Sequence, residues 1–148
     1  MGYIYGVLHS PTFRMRYQEL LKIDFPRIPF VEDSIQFEQI AALGLELVQV
    51  HLMKTDPAGV KPTLQGAGDN QVKDVKYDAT TQQLHINETQ YFIDIPSVAW
   101  DFTIGGYQVL DKYLKERKKV QRPLGLTELK HIPKVVRILV WTHQQMQK

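Results

Sequence analysis

The sequence predicts an α+β fold that is mainly helical, with a small antiparallel sheet of two or three strands packed on helices. Apolar residues recur at helical spacing over residues 34–52 and again over 109–119. Between about residues 72 and 95 apolar and polar residues alternate instead, with turn-forming residues between the runs. A length of 148 residues suits one domain, so we expect residues 1–148 to form a single domain.

The apolar opening, residues 3–10, is typical of a helix end, and we expect the chain to be an excised fragment of a larger protein. Ser10 followed by Pro11 is a typical helix start, with a capping side chain and a proline at the first helical position. The pattern predicts a helix over 12–22. Its expected inward residues are Phe13, Tyr17, Leu20 and Leu21.

The next segment, residues 24–30, is kept from helix by its two prolines. Asp33 or Ser34 then caps a long helix, with Gln36 placed as in a capping box. Gly44 lies among large apolar residues on that helix, which predicts close approach by another helix. The residues expected on the buried face are Phe37, Ile40, Ala41, Gly44, Leu47, Val48, His51 and Leu52.

Residues 54–71 are rich in proline and glycine and have no periodicity, which predicts a long mobile loop. The Gly66-Ala67-Gly68 run inside it follows no strand and opens no helix, so it is a weak match to a nucleotide-binding motif. Strands are predicted over 72–77, 83–87 and 91–95. Pro133 would interrupt a helix, so the last helix is expected to begin near that residue.

The rest of the chain is organised around the stretch Ile95–Lys119. Trp100 and Phe102 are expected to supply large buried area, and Gly105-Gly106 precede a helical pattern. A backbone without side chains before a helix lets an anion or a nucleic-acid strand approach closely. Alternatively, the glycines allow a tight turn against a neighbouring helix.

The charge distribution is uneven along the chain. The net charge of +2 divides into −2 over residues 1–74 and +4 over 75–148. Most of the basic residues of the second half lie between Lys112 and Arg137. Such a concentration favours a polyanionic partner with salt-dependent affinity, although a solvated helix face has the same composition.

Several classes of site have no support in the sequence. Cysteine is absent, which excludes disulfides and thiolate metal sites, and no apolar run is long enough to cross a membrane. The five histidines form no pair at metal-ligand spacing within one predicted element. No nucleophile elbow, phosphate-binding loop or zinc-protease motif occurs. The residues alone therefore indicate a binding module rather than an enzyme.

Four blocks of sequence resemble the C-terminal specificity region, or target recognition domain, of Type ISP single-chain restriction-modification enzymes. They occur in the family's order and cover most of the chain outside residues 54–71. The blocks are Tyr3–Arg14, Leu21–Pro29, Leu43–Leu52 and Val98–Leu114.

The resemblance implies a parent polypeptide with a nuclease, a helicase-like ATPase and an adenine-N6 methyltransferase. That parent is expected to use S-adenosylmethionine, ATP and Mg²⁺ and to work in the cytoplasm of a bacterial or archaeal cell. This chain lacks the Asn/Asp-Pro-Pro-Tyr/Phe tetrapeptide, the Phe-x-Gly-x-Gly loop and helicase motifs. We therefore assign no catalytic, cofactor or metal residue to it.

What the resemblance implies for this chain is recognition of double-stranded DNA, next to the methyltransferase domain of the same polypeptide. Basic residues would hold phosphates and polar loop residues would read base edges. The alternative is a structural docking domain, which an exposed apolar patch at Tyr3, Tyr5 and Leu8 would favour. The predicted DNA-binding residues are Gly105, Gly106, Tyr107, Gln108, Lys112, Lys115, Lys118, Lys119 and Arg122, followed by Arg14 and Arg27.

Overall fold

The computed structural model describes residues 1–147, which form six helices and two small antiparallel sheets. The α+β prediction is confirmed. The backbone divides into two compact units: unit 1 holds residues 1–56 and 144–147, and unit 2 holds residues 57–143. The helices are α1 (Gly2–Leu8), α2 (Pro11–Leu21), α3 (Ser34–His51), α4 (Ser97–Trp100), α5 (Val109–Val120) and α6 (Leu126–Met146). The strands are β1 (Leu64–Gln65), β2 (Lys76–Asp78), β3 (Gln83–His85), β4 (Tyr91–Phe92), β5 (Thr103–Ile104) and β6 (Tyr107–Gln108).

Unit 1 is held together by close packing of α1 on α3. A Cβ atom built on Gly44 of α3 would overlap the carbonyl oxygen of Gly2 and lie 2.7 Å from the amide nitrogen of Gly6. A Cβ on Gly6 would in turn lie 2.8 Å from the carbonyl oxygen of Ile40. The close approach predicted at Gly44 is thus confirmed, and its partner is α1.

The helix starts in unit 1 follow the capping rules. Ser10 Oγ accepts a hydrogen bond from the Phe13 amide at 3.4 Å, and Pro11 is the first residue of α2. Asp33 caps α3, but its carboxylate accepts from the Ile35 amide at 2.9 Å rather than from Gln36 as a capping box requires.

Burial in unit 1 is narrower than the sequence pattern predicted. Phe13 is buried on α2, but Leu20 is 58% exposed, so its predicted burial is wrong. On α3, Gly44 and Leu47 are buried whereas Leu52 is exposed. Helical periodicity marks the apolar side of a helix, and the amount of that side covered depends on neighbours that the pattern does not reveal.

Unit 2 is built on a four-stranded sheet in the order β1-β4-β3-β2. The three predicted strands are present but shorter, and β1 is an additional strand within the segment predicted as a loop. Leu64 of β1 faces Phe92 of β4 in the register, and Pro62 before it is buried. The core beside the sheet includes Leu84, Ile86, Phe92, Ile95, Leu110, Leu114, Ile132, Val136 and Leu139.

A buried amide network joins the 66–71 segment to the turn between β3 and β4. Gln90 donates to Asn70 Oδ1 at 2.7 Å and accepts from Asn87 Nδ2 at 3.0 Å. A Cβ on Gly66 would overlap the carbonyl oxygen of Thr89, and one on Gly68 would lie 2.5 Å from Gln90 Oε1. The packing of this loop against Thr89 and Gln90 therefore explains the two glycines.

The predicted start of the last helix near Pro133 is wrong. Helix α6 runs without a break from Leu126 to Met146 with Pro133 inside it. Proline in a helix interior costs roughly 3 kcal/mol because it removes a hydrogen bond and crowds the preceding turn. Ile132 and Val136, on either side of it, are buried in the core of unit 2, and their burial offsets that cost.

Candidate nucleic-acid interface

The Gly105-Gly106 pair forms the turn of a β-hairpin. Strands β5 and β6 pair in antiparallel register, with Thr103 opposite Gln108 and Ile104 opposite Tyr107. Only the two glycines connect them, at φ of +60° and +83°. Such a two-residue turn needs positive φ at both positions, which explains the glycines.

The turn is open to its surroundings. Apart from the glycine itself and its two chain neighbours, a Cβ built on either glycine would meet no atom of residues 1–147 within 4 Å. The tight turn of the second interpretation is present, but no helix of the described residues packs against it, and close approach of a nucleic-acid strand stays a prediction. The glycines also do not open α5, which begins at Val109 after β6.

The base of the hairpin is fixed on the core of unit 2. The Val109 amide donates to the Phe102 carbonyl at 3.2 Å, and both side chains pack against that core. Trp100 is half-buried there and stacks on Tyr77 at 5.2 Å between ring centroids. Tyr77 Oη donates to the Ile95 carbonyl at 2.6 Å. A rigid base therefore carries an exposed tip.

The hairpin has two different faces near its tip. Residues opposite each other in a ladder point to the same face, and neighbours along a strand point to opposite faces. Ile104 and Tyr107 thus share one face, where they are 56% and 62% exposed. Thr103 and Gln108 share the other, which is polar.

Helix α5 places its lysines beside the hairpin. Leu110 and Leu114 are buried, so the opposite side of the helix is left to solvent. Lys112 Nζ lies 4.6 Å from the centroid of the Tyr107 ring. We call the shallow depression of about 450 Å³ between these elements the hairpin–helix surface. It is lined by Tyr107, Gln108, Asp111, Lys112, Lys115, Glu116 and Lys119.

The lysines of α5 differ in how far their charge is already compensated. Lys115 pairs with Asp111 at 2.8 Å, whereas Lys118 and Lys119 are exposed and form no ion pair within residues 1–147. An exposed ion pair one helical turn apart contributes only about 0.5 kcal/mol. Lys115 can therefore leave the Asp111 carboxylate and bind another anion at little cost in free energy.

Arg122 lies at the end of this basic segment and has a partner. Its guanidinium is 3.6 Å from Glu128, which Arg117 also approaches at 3.8 Å. The Glu128 carboxylate accepts from the Gly125 amide at 3.0 Å. Hydrogen bonding to its own backbone amide chiefly lowers the Glu128 pKa, so the carboxylate stays charged. The sequence pattern showed the run of basic residues, but it did not show that Glu128 would compete with a phosphate for Arg122.

Arg14 and Arg27 belong to unit 1, whereas the hairpin–helix surface belongs to unit 2. Arg14 Nε donates to the Leu8 carbonyl at 2.6 Å, at the end of α1, and partial burial lowers the pKa of its guanidinium. Arg27 is exposed and lines an apolar groove of about 520 Å³ along α2. Arg14 is thus engaged in helix capping, while Arg27 is exposed to solvent.

Unit 1 also contains a cluster that the sequence did not reveal. Tyr5 Oη bonds to His51 Nδ1 at 2.5 Å, and the His9 and His51 rings lie 5.2 Å apart. Burial, followed by the nearby positive charges of His9 and Arg14, lowers the pKa of His51 to about 4. The two histidines are distant in sequence, so no local spacing could have indicated their contact.

Two further kinds of feature are absent from the described part of the chain. Within residues 1–147, no three acidic or histidine side chains converge closely enough to hold a metal ion. Over the same range, no helix combines the length and apolar character needed to cross a bilayer.

A family model decides the relationship that the four sequence blocks suggested. The model of the Type ISP C-terminal specificity domain matches residues 1–148. The chain belongs to this family. No curated protein sequence is significantly similar to this Type ISP specificity domain.

Solved structures share the fold of this Type ISP specificity domain. A DrdV–DNA complex superposes with a TM-score of 0.75 at 22% identity over 99% of this chain. The ATP-dependent Type ISP enzyme LlaBIII bound to DNA gives 0.73 at 20% identity, again over 99%. A nuclease-deletion mutant of the Type ISP enzyme LlaGI with a DNA substrate mimic gives 0.70 at 20% identity over 99%. The domain spans only 17%, 11% and 15% of those chains, respectively.

Proposed function

We propose that this specificity domain recognises a DNA target for a restriction-modification polypeptide and that the hairpin–helix surface contacts the duplex. The observation that supports this most strongly is the position of an exposed Gly105-Gly106 turn beside the lysine side of α5. The matching solved structures are complexes with DNA or with a DNA mimic. Family and fold thus agree with the surface chemistry.

The geometry suits a duplex in two ways. A two-stranded ribbon is narrow enough to enter the major groove, where each base pair has its own pattern of donors and acceptors. Gln108 and Thr103, on the polar face of the hairpin, carry the amide and hydroxyl groups that read such patterns. Lys112, Lys115, Lys118 and Lys119 would hold phosphates, which fixes the position of the protein on the DNA.

By the same proposal, catalysis belongs to the rest of the parent polypeptide. An adenine-N6 methyltransferase with S-adenosylmethionine and an ATP- and Mg²⁺-dependent motor would act there, in the cytoplasm of a bacterium or archaeon. The residues of this chain would contribute target binding and contact with the methyltransferase domain. Sequence differences in 54–71 and 78–82 would adapt relatives to other targets.

The test is selection from a pool of random duplexes at two salt concentrations, with sequencing of the bound fraction. The proposal predicts enrichment of one short site and tighter binding at the lower salt concentration. Lys22→Ala, in unit 1, serves as the charge-matched control for lysine variants of α5. Failure of the wild-type chain to bind any duplex at low salt would contradict the proposal.

A second candidate function is docking onto the parent polypeptide, and one observation favours it. An exposed patch at Tyr3, Tyr5 and Leu8 would have favoured it, but Tyr3 is buried and the other two are half-buried. Other apolar side chains are exposed in unit 1, where Ile23, Phe25 and Phe30 are 79%, 91% and 68% exposed. Hydroxyl-radical footprinting would test this role, since docking predicts that Phe25 is oxidised less in the parent polypeptide than in the isolated domain.

A further inference from the structure

The apolar face of the hairpin is exposed at a place where the surrounding surface is basic. Ile104 and Tyr107 stand on one face of the β5–β6 hairpin, at its tip, with no side chain on the two residues between them. Lys112 approaches the Tyr107 ring, and the hairpin–helix surface beside it holds two further lysines. This combination calls for a partner that is both anionic and apolar.

We propose that Ile104 and Tyr107 form a wedge that enters between adjacent base pairs of the bound duplex and kinks it. The proposal rests on the proposed function, because it assumes that the hairpin–helix surface contacts DNA. It adds a distortion of the duplex that neither phosphate binding nor reading of base edges requires.

Charge is the first argument for this choice of partner. An apolar protein surface would have to desolvate the neighbouring lysines without compensating them. A duplex presents phosphates to the lysines and, between its base pairs, an apolar stacked interior to the wedge. Among macromolecular partners, double-stranded DNA satisfies both requirements of this surface at once.

Shape is the second argument. Minor-groove proteins that kink DNA insert apolar side chains such as isoleucine between base steps, and the wedge would open a step in the same way from the groove that the hairpin occupies. The two-residue turn keeps the hairpin as narrow as two paired strands, about 5 Å between strand axes. The open space around Gly105 and Gly106 lets the backbone of the tip enter a groove with the side chains of Ile104 and Tyr107.

Rigidity is the third argument, because unstacking costs free energy and a flexible tip would bend away instead. The base of the hairpin is held by the hydrogen bond from Val109 to Phe102 and by the packing of both residues on the core. Lys112 places an ammonium group against the Tyr107 ring, which restricts the ring in the free protein. The tip is therefore organised before it meets DNA.

Insertion gives specificity without hydrogen bonds to the kinked step. Pyrimidine–purine steps such as TA unstack easily, whereas A-tracts are stiff. We expect the wedge to enter at a TA or CA step. Substitution of that step by an A-tract would weaken binding even though no side chain reads its base edges.

The experiment uses duplexes with 2-aminopurine as the purine of a central TA step or within an A-tract. The probe brightens when its neighbour unstacks, and we expect saturating wild-type protein to raise its fluorescence more than about twofold at the TA step only. The variants Ile104→Ser and Tyr107→Ser should bind more weakly, and they should show no rise even at protein concentrations high enough to saturate the duplex. Lys115→Ala/Lys119→Ala should need more protein to saturate but show the full rise.

The experiment distinguishes failure of the wedge proposal from failure of the proposed DNA interface. Saturation of the TA duplex by the wild-type chain with unchanged fluorescence would overturn the wedge and leave the DNA interface standing. An unchanged rise in both serine variants would also overturn it. Absence of binding to either duplex at low salt would overturn the interface and the wedge together.

Discussion

Individual lysines of α5 have unequal roles in the proposed interface. Lys112 is engaged with the Tyr107 ring, Lys115 with Asp111, and Lys119 has no ion-pair partner within residues 1–147. Residues 112, 115 and 119 recur at helical spacing, and this made them predictable from the sequence. The partner of Arg122 was not predictable, because Arg122 lies in the connection after α5 and Glu128 lies on α6.

The double substitution Lys115→Ala/Lys119→Ala tests the proposed binding of phosphates. For each phosphate that the protein no longer neutralises, the slope of log K against log salt should fall by about 0.9, and affinity should fall for every DNA sequence alike. Salt titrations by fluorescence anisotropy measure that slope. Lys22→Ala removes a charge paired with Glu19 in unit 1 and should leave the slope unchanged. A wild-type slope in the double variant would contradict the phosphate role.

His51 gives stability a dependence on pH. Burial lowers its pKa to about 4, so the folded state favours the neutral imidazole that is hydrogen-bonded to Tyr5 Oη. His51 in the unfolded chain has a pKa of about 6.5 and takes up a proton earlier. The stabilisation is thus complete above about pH 6.5 and is lost as pH falls towards 4.

Urea unfolding of the wild type and of His51→Gln at successive pH values checks this dependence. Glutamine keeps a hydrogen-bonding side chain but does not titrate, so its free energy of unfolding should fall less steeply between about pH 6.5 and pH 4.5. The difference between the two proteins removes the contribution of the carboxylates that titrate in both. Parallel curves would show that His51 does not contribute.

At the scale of elements, the α1–α3 contact shows what a sequence can and cannot reveal. Glycine within an apolar helix face indicates that another backbone approaches there, and Gly44 meets α1 as this rule predicts. The identity of the approaching helix is a long-range property. Strand β1 was missed for a related reason, since two residues are too few to show alternation.

Gly44→Ala tests that contact. The new methyl group would overlap the Gly2 carbonyl oxygen, which belongs to backbone and cannot rotate away. Forcing extra volume into a packed contact costs about 1–3 kcal/mol, and we expect a loss of that size in urea unfolding. Glu46→Ala, on an exposed position of α3, should change stability by less than about 0.5 kcal/mol. Equal free energies of unfolding for the two variants would show that α1 can move away from α3 at no measurable cost.

The hairpin turn can be tested with a matched pair. Asparagine tolerates positive φ, so Gly105→Asn at φ +60° should fold and keep the turn. Gly106→Val places a β-branched side chain at φ +83° and should cost about 1–3 kcal/mol of local backbone strain, without a clash of its Cβ with residues beyond its two chain neighbours. Thermal unfolding measures both costs, and DNA binding of the folded protein shows whether turn geometry matters. Equal stability and equal binding would make the glycines incidental.

At the scale of the whole molecule, prediction from the sequence was most successful for properties that depend on many residues together. The α+β class and the family follow from periodicity and from four blocks of sequence, and both are confirmed. The predicted helix start at Pro133 was wrong because the rule that proline interrupts a helix considers only local sequence. Burial of Ile132 and Val136 in the core stabilises α6 by more free energy than the proline costs. The Tyr5–His9–His51 cluster depends on tertiary packing and had no local signal.

The central claim is that the hairpin–helix surface, rather than the exposed apolar side chains of unit 1, meets DNA. Photo-cross-linking tests it directly, with p-benzoylphenylalanine placed at Tyr107 in one protein and at Phe25 in another. Both positions are aromatic and exposed in the free chain, at 62% for Tyr107 and 91% for Phe25, so position 25 is at least as accessible as position 107. We predict cross-links to duplex DNA from position 107 and none from position 25. Cross-links from position 25 with none from position 107 would contradict the claim.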